Sequence, residues 1–265
     1  MSKAGKWFEG SAFWLYHLFW SAVDWIYPPN CGGCNKPGER WCDDCQRQAA
    51  PMRESICSVC GNFIDSGNLC SRCSVALPPY EALRSWGIFV GPLRQAIHRL
   101  KYRHDIALGE ALSHYLTELY QLMGWTVDIV IPVPLSHSRQ VERGYNQSAL
   151  LALPFALSCG LSFQPKAIQR IRNTRSQVGL HAHERIENVN GAFSAKKDIV
   201  YGKTILLVDD VTTTGATISS SAQALVEAGA KAVYGITLAR SSFGMETDLT
   251  QATGSPNDQA PDKSN

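Results

Sequence analysis

Two spacings of apolar residues run along this chain, and each change from one to the other marks an element. Ile205-Leu206-Leu207-Val208, bounded by charge, reads as a strand buried on both faces. Gly215 to Gly229 follows at helical spacing through Ile218, Ala222, Leu225 and Val226. Upstream, Ala82 to Val90 predicts a strand, Gly91-Pro92 opens a helix with Leu93, Ala96, Ile97 and Leu100 on one face, and Ile106 to Met123 predicts a second amphipathic helix. Asp128 to Leu135 predicts a strand whose apolar run ends at Pro132 and Pro134, Ser148 to Cys159 a helix, and Ile168 to Arg172 a short strand. Strands alternating with helices predict a doubly wound α/β sheet that binds ligands at the strands' carboxyl ends.

The two ends read differently. Residues 1–28 form an aromatic helix rich in Trp, Phe and Tyr, broken by Glu9, His17 and Asp24 and stopped at Pro28-Pro29. The run is too interrupted to span a bilayer and has no small-residue cleavage site, so the chain is expected in the cytoplasm. Packing on the rest of the protein or on a partner is the main reading; membrane association is disfavoured because the polar face lacks Lys and Arg. Residues 241–265 have little to bury and are expected to be disordered. Asn173 to Val189 shows no sustained periodicity until Glu184 and predicts either a mobile flap or an ordinary basic surface loop. His181 and His183 within it show no ligand spacing and read as solvated.

Composition divides the chain further. Eight of its nine cysteines fall between Cys31 and Cys73 of 265 residues, which predicts two unequal domains, with a zinc ribbon over 29–76 and an α/β domain over 80–240. Cys31/Cys34, Cys42/Cys45, Cys57/Cys60 and Cys70/Cys73 form four C-x-x-C pairs that suit two structural tetrahedral zinc sites, although spacing alone does not fix which pairs share an ion. Disulfides would need an oxidising compartment, and no secretory signal precedes the cysteines. A net charge of +2 says little about partners, so local blocks carry that argument. Five Lys/Arg and no acid lie between Arg84 and His104, and eight basic residues against three acidic lie between Lys166 and Lys203. Lys101, Arg103, Arg172, Arg175 and Arg185 are the candidate nucleic-acid ligands, against the plainer reading of Lys101 to His104 as a basic helix end.

The candidate chemistry sits at Asp209-Asp210-Val211-Thr212-Thr213-Thr214-Gly215-Ala216-Thr217, where the predicted strand ends on two carboxylates and runs into a helix start. Carboxylates accept from the hydroxyls of a sugar, and the free amides and positive dipole of a helix start attract a phosphate. Alternation sends Asp209 and Asp210 to opposite sides, so one can hold ribose hydroxyls or hydrated Mg²⁺ while the other orients the turn. Gly215 is expected to allow close backbone approach to phosphate oxygens. Arg139, Arg143, Gly144, Tyr145, Asn146 and Gln147 read as a dense set of donors for a second anion.

The acidic pair with its threonine-glycine turn resembles the phosphoribosyl pyrophosphate (PRPP) signature of type I phosphoribosyltransferases. Purine-type members carry Asp where this chain has Thr213, which sets it apart from base transfer. The wider pattern resembles the ComF family: the aromatic helix before Pro28-Pro29, the paired cysteines, Pro92-Leu93-Arg94 with Lys101-Tyr102, Pro132 to Leu135, Arg143 to Gln147, Arg172, Thr174, Gln177, Leu180, Arg185 and Asn188, and the Asp209-Asp210 loop. The resemblance implies a double zinc ribbon joined to a type I phosphoribosyltransferase domain that handles imported single-stranded DNA in natural transformation or DNA utilisation. It implies PRPP with Mg²⁺ on Asp209, Asp210, Thr213, Thr214, Gly215, Ala216 and Thr217, with Asp209, Asp210 and Arg143 catalytic if transfer occurs. Competence helicases or recombination-loading proteins are the implied partners. Two classes stay open: a transferase with an unnamed acceptor, and a non-catalytic adaptor for which PRPP is a regulatory ligand or no ligand. A PRPP-sensing transcription regulator would need a duplex-binding element, and none stands out.

Overall fold

The structure is a computed structural model that describes residues 11–52, 55–172 and 191–241. Its centre is a five-stranded parallel sheet in the order β1 (Ala82–Ile88), β7 (Ala232–Arg240), β6 (Thr204–Thr212), β2 (Ile129–Pro132), β3 (Ser162–Phe163). Side chains alternate along β6 and so build two core layers. Leu206 and Val208 meet Leu93 of α4 (Gly91–Tyr102), Leu112 of α5 (Leu108–Met123) and Phe155 of α7 (Gln147–Ser158). Ile205 and Leu207 meet Ile218 and Leu225 of α9 (Ala216–Glu227) on the opposite face, beside the antiparallel pair β4 (Ile168–Arg170) and β5 (Phe193–Ala195) and the short α8 (Lys197–Val200) that follows β5. The helices that follow the adjacent strands β2 and β6 therefore lie on opposite faces, and a crevice opens between those strands' carboxyl ends.

Both cysteine clusters pack on this domain, at different places. In each, the third cysteine precedes a short helix and the fourth lies within it: Cys42 and Cys45 with α2 (Asp43–Gln48), Cys70 and Cys73 with α3 (Ser71–Val75). The first cluster rests on α4 and α5, where Arg99 Nη1 donates to Cys31 O at 3.0 Å and Trp41 Nε1 donates to the Tyr115 hydroxyl at 2.6 Å. The second joins β1, where Leu83 N donates to Val59 O at 2.8 Å, and its cysteines share a core with Leu83 and Leu207. Helix α1 (Ser11–Ile26) is held through His17 on Glu110 at 2.8 Å and through Arg40, which pairs with Asp24 and lies over the Trp20 ring. Its other face leaves Trp14, Leu15, Leu18, Phe19 and Trp25 exposed. No helix among the described residues is long and apolar enough to cross a membrane.

Two expectations are corrected. The strand does not end on its carboxylates: β6 continues through Asp209 and Asp210 to Thr212, because β7 runs alongside it with Thr237, Ala239 and Arg240 in register. The segment before α7 contains a helix, α6 (His137–Arg143), with Ser136 accepting from Arg139 N. The short strand expected over Ile168 to Arg172 forms as β4 and pairs with β5 outside the main sheet. The flap expected over 173–189 and nearly all of the tail expected over 241–265 lie outside the described residues.

Candidate functional site

The crevice is a cavity of about 780 Å³, walled by four parts of the chain. The end of β6 and the start of α9 give Asp209, Asp210, Thr213 and Thr217; α6 gives Arg139 and Arg143; α4 gives Arg94, His98, Lys101 and Tyr102; β4 gives Arg170. Five cationic side chains thus face three carboxylates, Glu142 included, a balance that suits an anion carrying hydroxyl groups.

Asp209 is buried, and desolvation together with the neighbouring charge of Asp210 pushes its pKa to about 7. Opposing that rise, Ser148 Oγ donates to Asp209 Oδ1 at 2.7 Å and Asp210 N donates to the same oxygen at 2.9 Å. Asp210 Oδ2 meets Lys101 Nζ at 2.6 Å, so the ammonium balances one of the two acids. Arg143 is 8 % exposed; its Nη1 donates to Gln147 Oε1 at 2.9 Å and its guanidinium lies 4.8 Å from the Tyr102 ring centre, while its buried Nε has no partner. A buried donor left unsatisfied costs about 1–3 kcal/mol, which an acceptor entering the cavity would recover. Burial lowers the Arg170 pKa and the charge of Arg139 lowers it further, so these guanidiniums also favour an incoming anion.

The residues expected to act together as donors have separate tasks. Arg143 enters the cavity, Gly144 ends α6 at φ 75°, and the Tyr145 hydroxyl donates to Leu100 O at the end of α4 at 2.5 Å. Asn146 Nδ2 donates to Val133 O at 3.0 Å and its Oδ1 accepts from Ser148 N at 3.0 Å. One side chain therefore ties the end of β2 to the start of α7 and sets Ser148 beside Asp209.

The turn after β6 also divides. Thr213 and Thr217 line the cavity, whereas Thr214 and Ala216 line a separate depression of about 540 Å³ beside Arg72. Gly215 stands at φ +78°, a left-handed conformation that explains the glycine. An added Cβ would point toward Leu83, Tyr80 and Arg72 at ordinary contact distance, so backbone conformation, and not clearance for a ligand, is what the position requires. Of the candidate nucleic-acid ligands, Lys101 is drawn into the cavity by Asp210, Arg103 and Arg172 are exposed, and Arg175 and Arg185 lie outside the described residues. Sequence reasoning did not select Ser148, Arg72, Arg170 or Arg240 for this site, since none belongs to a local motif.

The four sulfurs of Cys31, Cys34, Cys42 and Cys45 lie within 4.8 Å of one another, as do those of Cys57, Cys60, Cys70 and Cys73, so the pairing along the chain is sequential. Sulfur–sulfur separations of 3.5, 3.7 and 3.6 Å approach the roughly 3.8 Å edge of a tetrahedron with Zn–S bonds of about 2.3 Å. No disulfide joins them. Four thiolates per cluster fit a structural zinc with no open position.

A profile for the double zinc ribbon domain matches residues 22–74. DNA utilization protein YhgH of Salmonella typhi is 33% identical over 216 residues, covering 78% of this chain and 94% of that protein. The chain belongs to the ComF/YhgH family. Within that family, competence protein F of Haemophilus influenzae is 30% identical across 75% of this chain and 90% of its own length, and competence protein ComFC of Bacillus subtilis 28% identical across 78% and 86%. Among solved structures, a glutamine PRPP amidotransferase from B. subtilis overlaps 49% of this chain and 26% of its own, at 23% identity and a TM-score of 0.35. Adenine phosphoribosyltransferase from Saccharomyces cerevisiae overlaps 50% and 69%, at 15% identity and a TM-score of 0.32. The fold itself is a parallel α/β sheet with an N-terminal double zinc ribbon.

Proposed function

We propose that the cavity binds PRPP with Mg²⁺ and that the chain handles imported single-stranded DNA, in transformation or DNA utilisation. The observation that carries the ligand reading is one cavity holding the Asp209-Asp210 pair, the start of α9 and the orphaned Nε of Arg143. Ionised Asp209 and Asp210 would accept from ribose hydroxyls, the first amides of α9 with the Thr213 and Thr217 hydroxyls would receive the 5′-phosphate, and Arg143 with Arg139 would take the pyrophosphate. Bound Mg²⁺ would neutralise pyrophosphate charge, and Asp210 would help to hold it once Lys101 releases the carboxylate. In a transfer reaction an acceptor's nucleophile adds at C1′ as the C1′–O bond breaks, and pyrophosphate leaves with the electron pair, its charge met by the guanidiniums.

The relatives' names, DNA utilization and competence protein, support the DNA role, with Arg103 and Arg172 as exposed phosphate ligands and with the zinc ribbon or the bare face of α1 as the docking place for a helicase or recombination-loading partner. Metal-held thiols in place of disulfides support action in the cytoplasm. A second reading, an adaptor with PRPP as regulatory ligand, is favoured by Thr213 standing where purine transferases carry an acid. Calorimetry of Mg²⁺·PRPP against wild type and the Asp209→Asn/Asp210→Asn double variant tests the site: binding is expected in the first and lost in the second, and equal affinity overturns the proposal. Pyrophosphate release with candidate acceptors separates transferase from adaptor.

A further inference from the structure

Behind the turn that follows β6, on the side away from the cavity, arginines join it to the second cysteine cluster. Arg240, the last residue of β7 and 1 % exposed, donates Nη1 to Thr213 O at 3.2 Å and Nη2 to Cys60 O at 2.5 Å. Arg72 stands between Cys70 and Cys73 in the chain and donates Nη1 to Thr214 O at 2.5 Å. Arg84 Nη2 holds the knuckle from β1 through Ser58 O at 2.6 Å. Arg240 therefore joins cluster and turn through its guanidinium, and Arg72 joins them by reaching the turn from the short helix that carries Cys73. A zinc ion with four thiolates keeps about two negative charges, and these arginines supply the balancing cations.

The consequence follows from peptide geometry. In a trans peptide the carbonyl and the next residue's N–H share a plane and point opposite ways. Fixing Thr213 O and Thr214 O toward the ribbon turns the N–H groups of Thr214 and Gly215 away from it, toward the side on which Thr213 and Thr217 wall the cavity. We propose that the second cluster, acting through Arg72 and Arg240, is the positioning element of this turn and aims its amides at a phosphate monoester in the cavity. The ligand half of this inference rests on the sugar-phosphate reading above; the positioning half does not. The first cluster, seated on α4 and α5, serves as the internal control.

Hydrogen–deuterium exchange of the full chain, with zinc counted on the same samples, tests it. Arg72 is exposed, so Arg72→Ala should fold with two zinc ions per chain and an unfolding midpoint close to wild type, yet exchange about tenfold faster over 212–219, the loss expected for one charge-assisted hydrogen bond. Arg72→Lys should recover part of the protection. Cys70→Ser/Cys73→Ser should expose the same segment, and Cys31→Ser/Cys34→Ser should leave it protected while loosening 91–103. Unchanged exchange over 212–219 in Arg72→Ala, or equal exposure by the first-cluster variant, would overturn the inference. Mg²⁺·PRPP titrations of wild type and Arg72→Ala read the ligand half, with about tenfold weaker binding expected in the variant. Faster exchange with no PRPP binding by wild type would uphold the positioning role and sink the PRPP reading instead.

Discussion

Replacing Asp209 by Asn should stabilise the protein while removing its ligand site, and the size of the gain should depend on pH. Asparagine preserves the shape, and its Oδ1 can still accept from Ser148 Oγ and Asp210 N, the two bonds at 2.7 and 2.9 Å. What disappears is a buried carboxyl whose pKa is raised from 3.8 to about 7 by desolvation and by Asp210. Because the folded state holds this proton more tightly than the unfolded state, the group's contribution falls as pH rises from about 4 to about 7 and is then constant. That shift corresponds to a cost of about 4 kcal/mol at pH 8 and about 2 kcal/mol at pH 5. Urea unfolding of both proteins at pH 5, 6 and 8 should therefore show the Asn variant more stable, with a gap that widens by about 2 kcal/mol across the series. Both proteins carry the same cysteine clusters, whose own pH dependence cancels in the difference. A gap that stays constant with pH, or an Asn variant less stable than wild type at pH 8, would refute the account of Asp209 as a strained carboxyl kept for binding.

Gly109→Ala reverses the usual helix preference: alanine normally adds about 1 kcal/mol to a helix interior, but here its Cβ would stand 2.7 Å from Leu150 O, where α5 meets α7, so chemical denaturation should show a loss of more than 1 kcal/mol. Single-stranded DNA affinity should fall as salt rises, and Arg103→Ala with Arg172→Ala should flatten that slope in filter binding between low and physiological salt; a salt-independent affinity would refute an electrostatic interface.

What the sequence made legible was local. Four apolar residues at 205–208, the apolar stripe of Leu93, Ala96, Ile97 and Leu100, and four C-x-x-C pairs each report their surroundings within a few residues, and the parallel sheet and both clusters follow from them. Helix α6 was hidden because His137 to Arg143 carries no apolar stripe; the serine cap and Gly144 alone bound it. The carboxylates looked like the end of a strand because charge usually ends one, and only the neighbouring β7, whose Thr237 and Ala239 continue the ladder, carries β6 past them. The acidic pair, the turn and Arg143 could be selected because they cluster in short motifs. The bond from Arg72 to Thr214 spans 142 residues and the one from Arg240 to Cys60 spans 180, separations at which spacing holds no information.

Those long-range bonds bear on why a cysteine-rich ribbon accompanies this sheet. Composition divides the chain near residue 76, yet packing joins across that line: Cys57, Cys60, Cys70 and Cys73 share a core with Leu83 and Ile205, and Arg99 ties the first cluster to α4 three residues before the helix ends at Tyr102. Each cluster thus braces a different wall of one cavity, the first beside Lys101 and Tyr102, the second beneath Thr213 and Thr214. A cavity that crowds Asp209 against Asp210 and leaves Arg143 Nε without a partner is unfavourable by itself and must be held by stability from elsewhere. Tetrahedral metal sites supply that stability without apolar volume, which a segment as short and polar as residues 29–76 could not bury on its own. On this argument the clusters would supply rigidity on both sides of the cavity, and the pH-dependent strain at Asp209 is the measurable sign of the load they support.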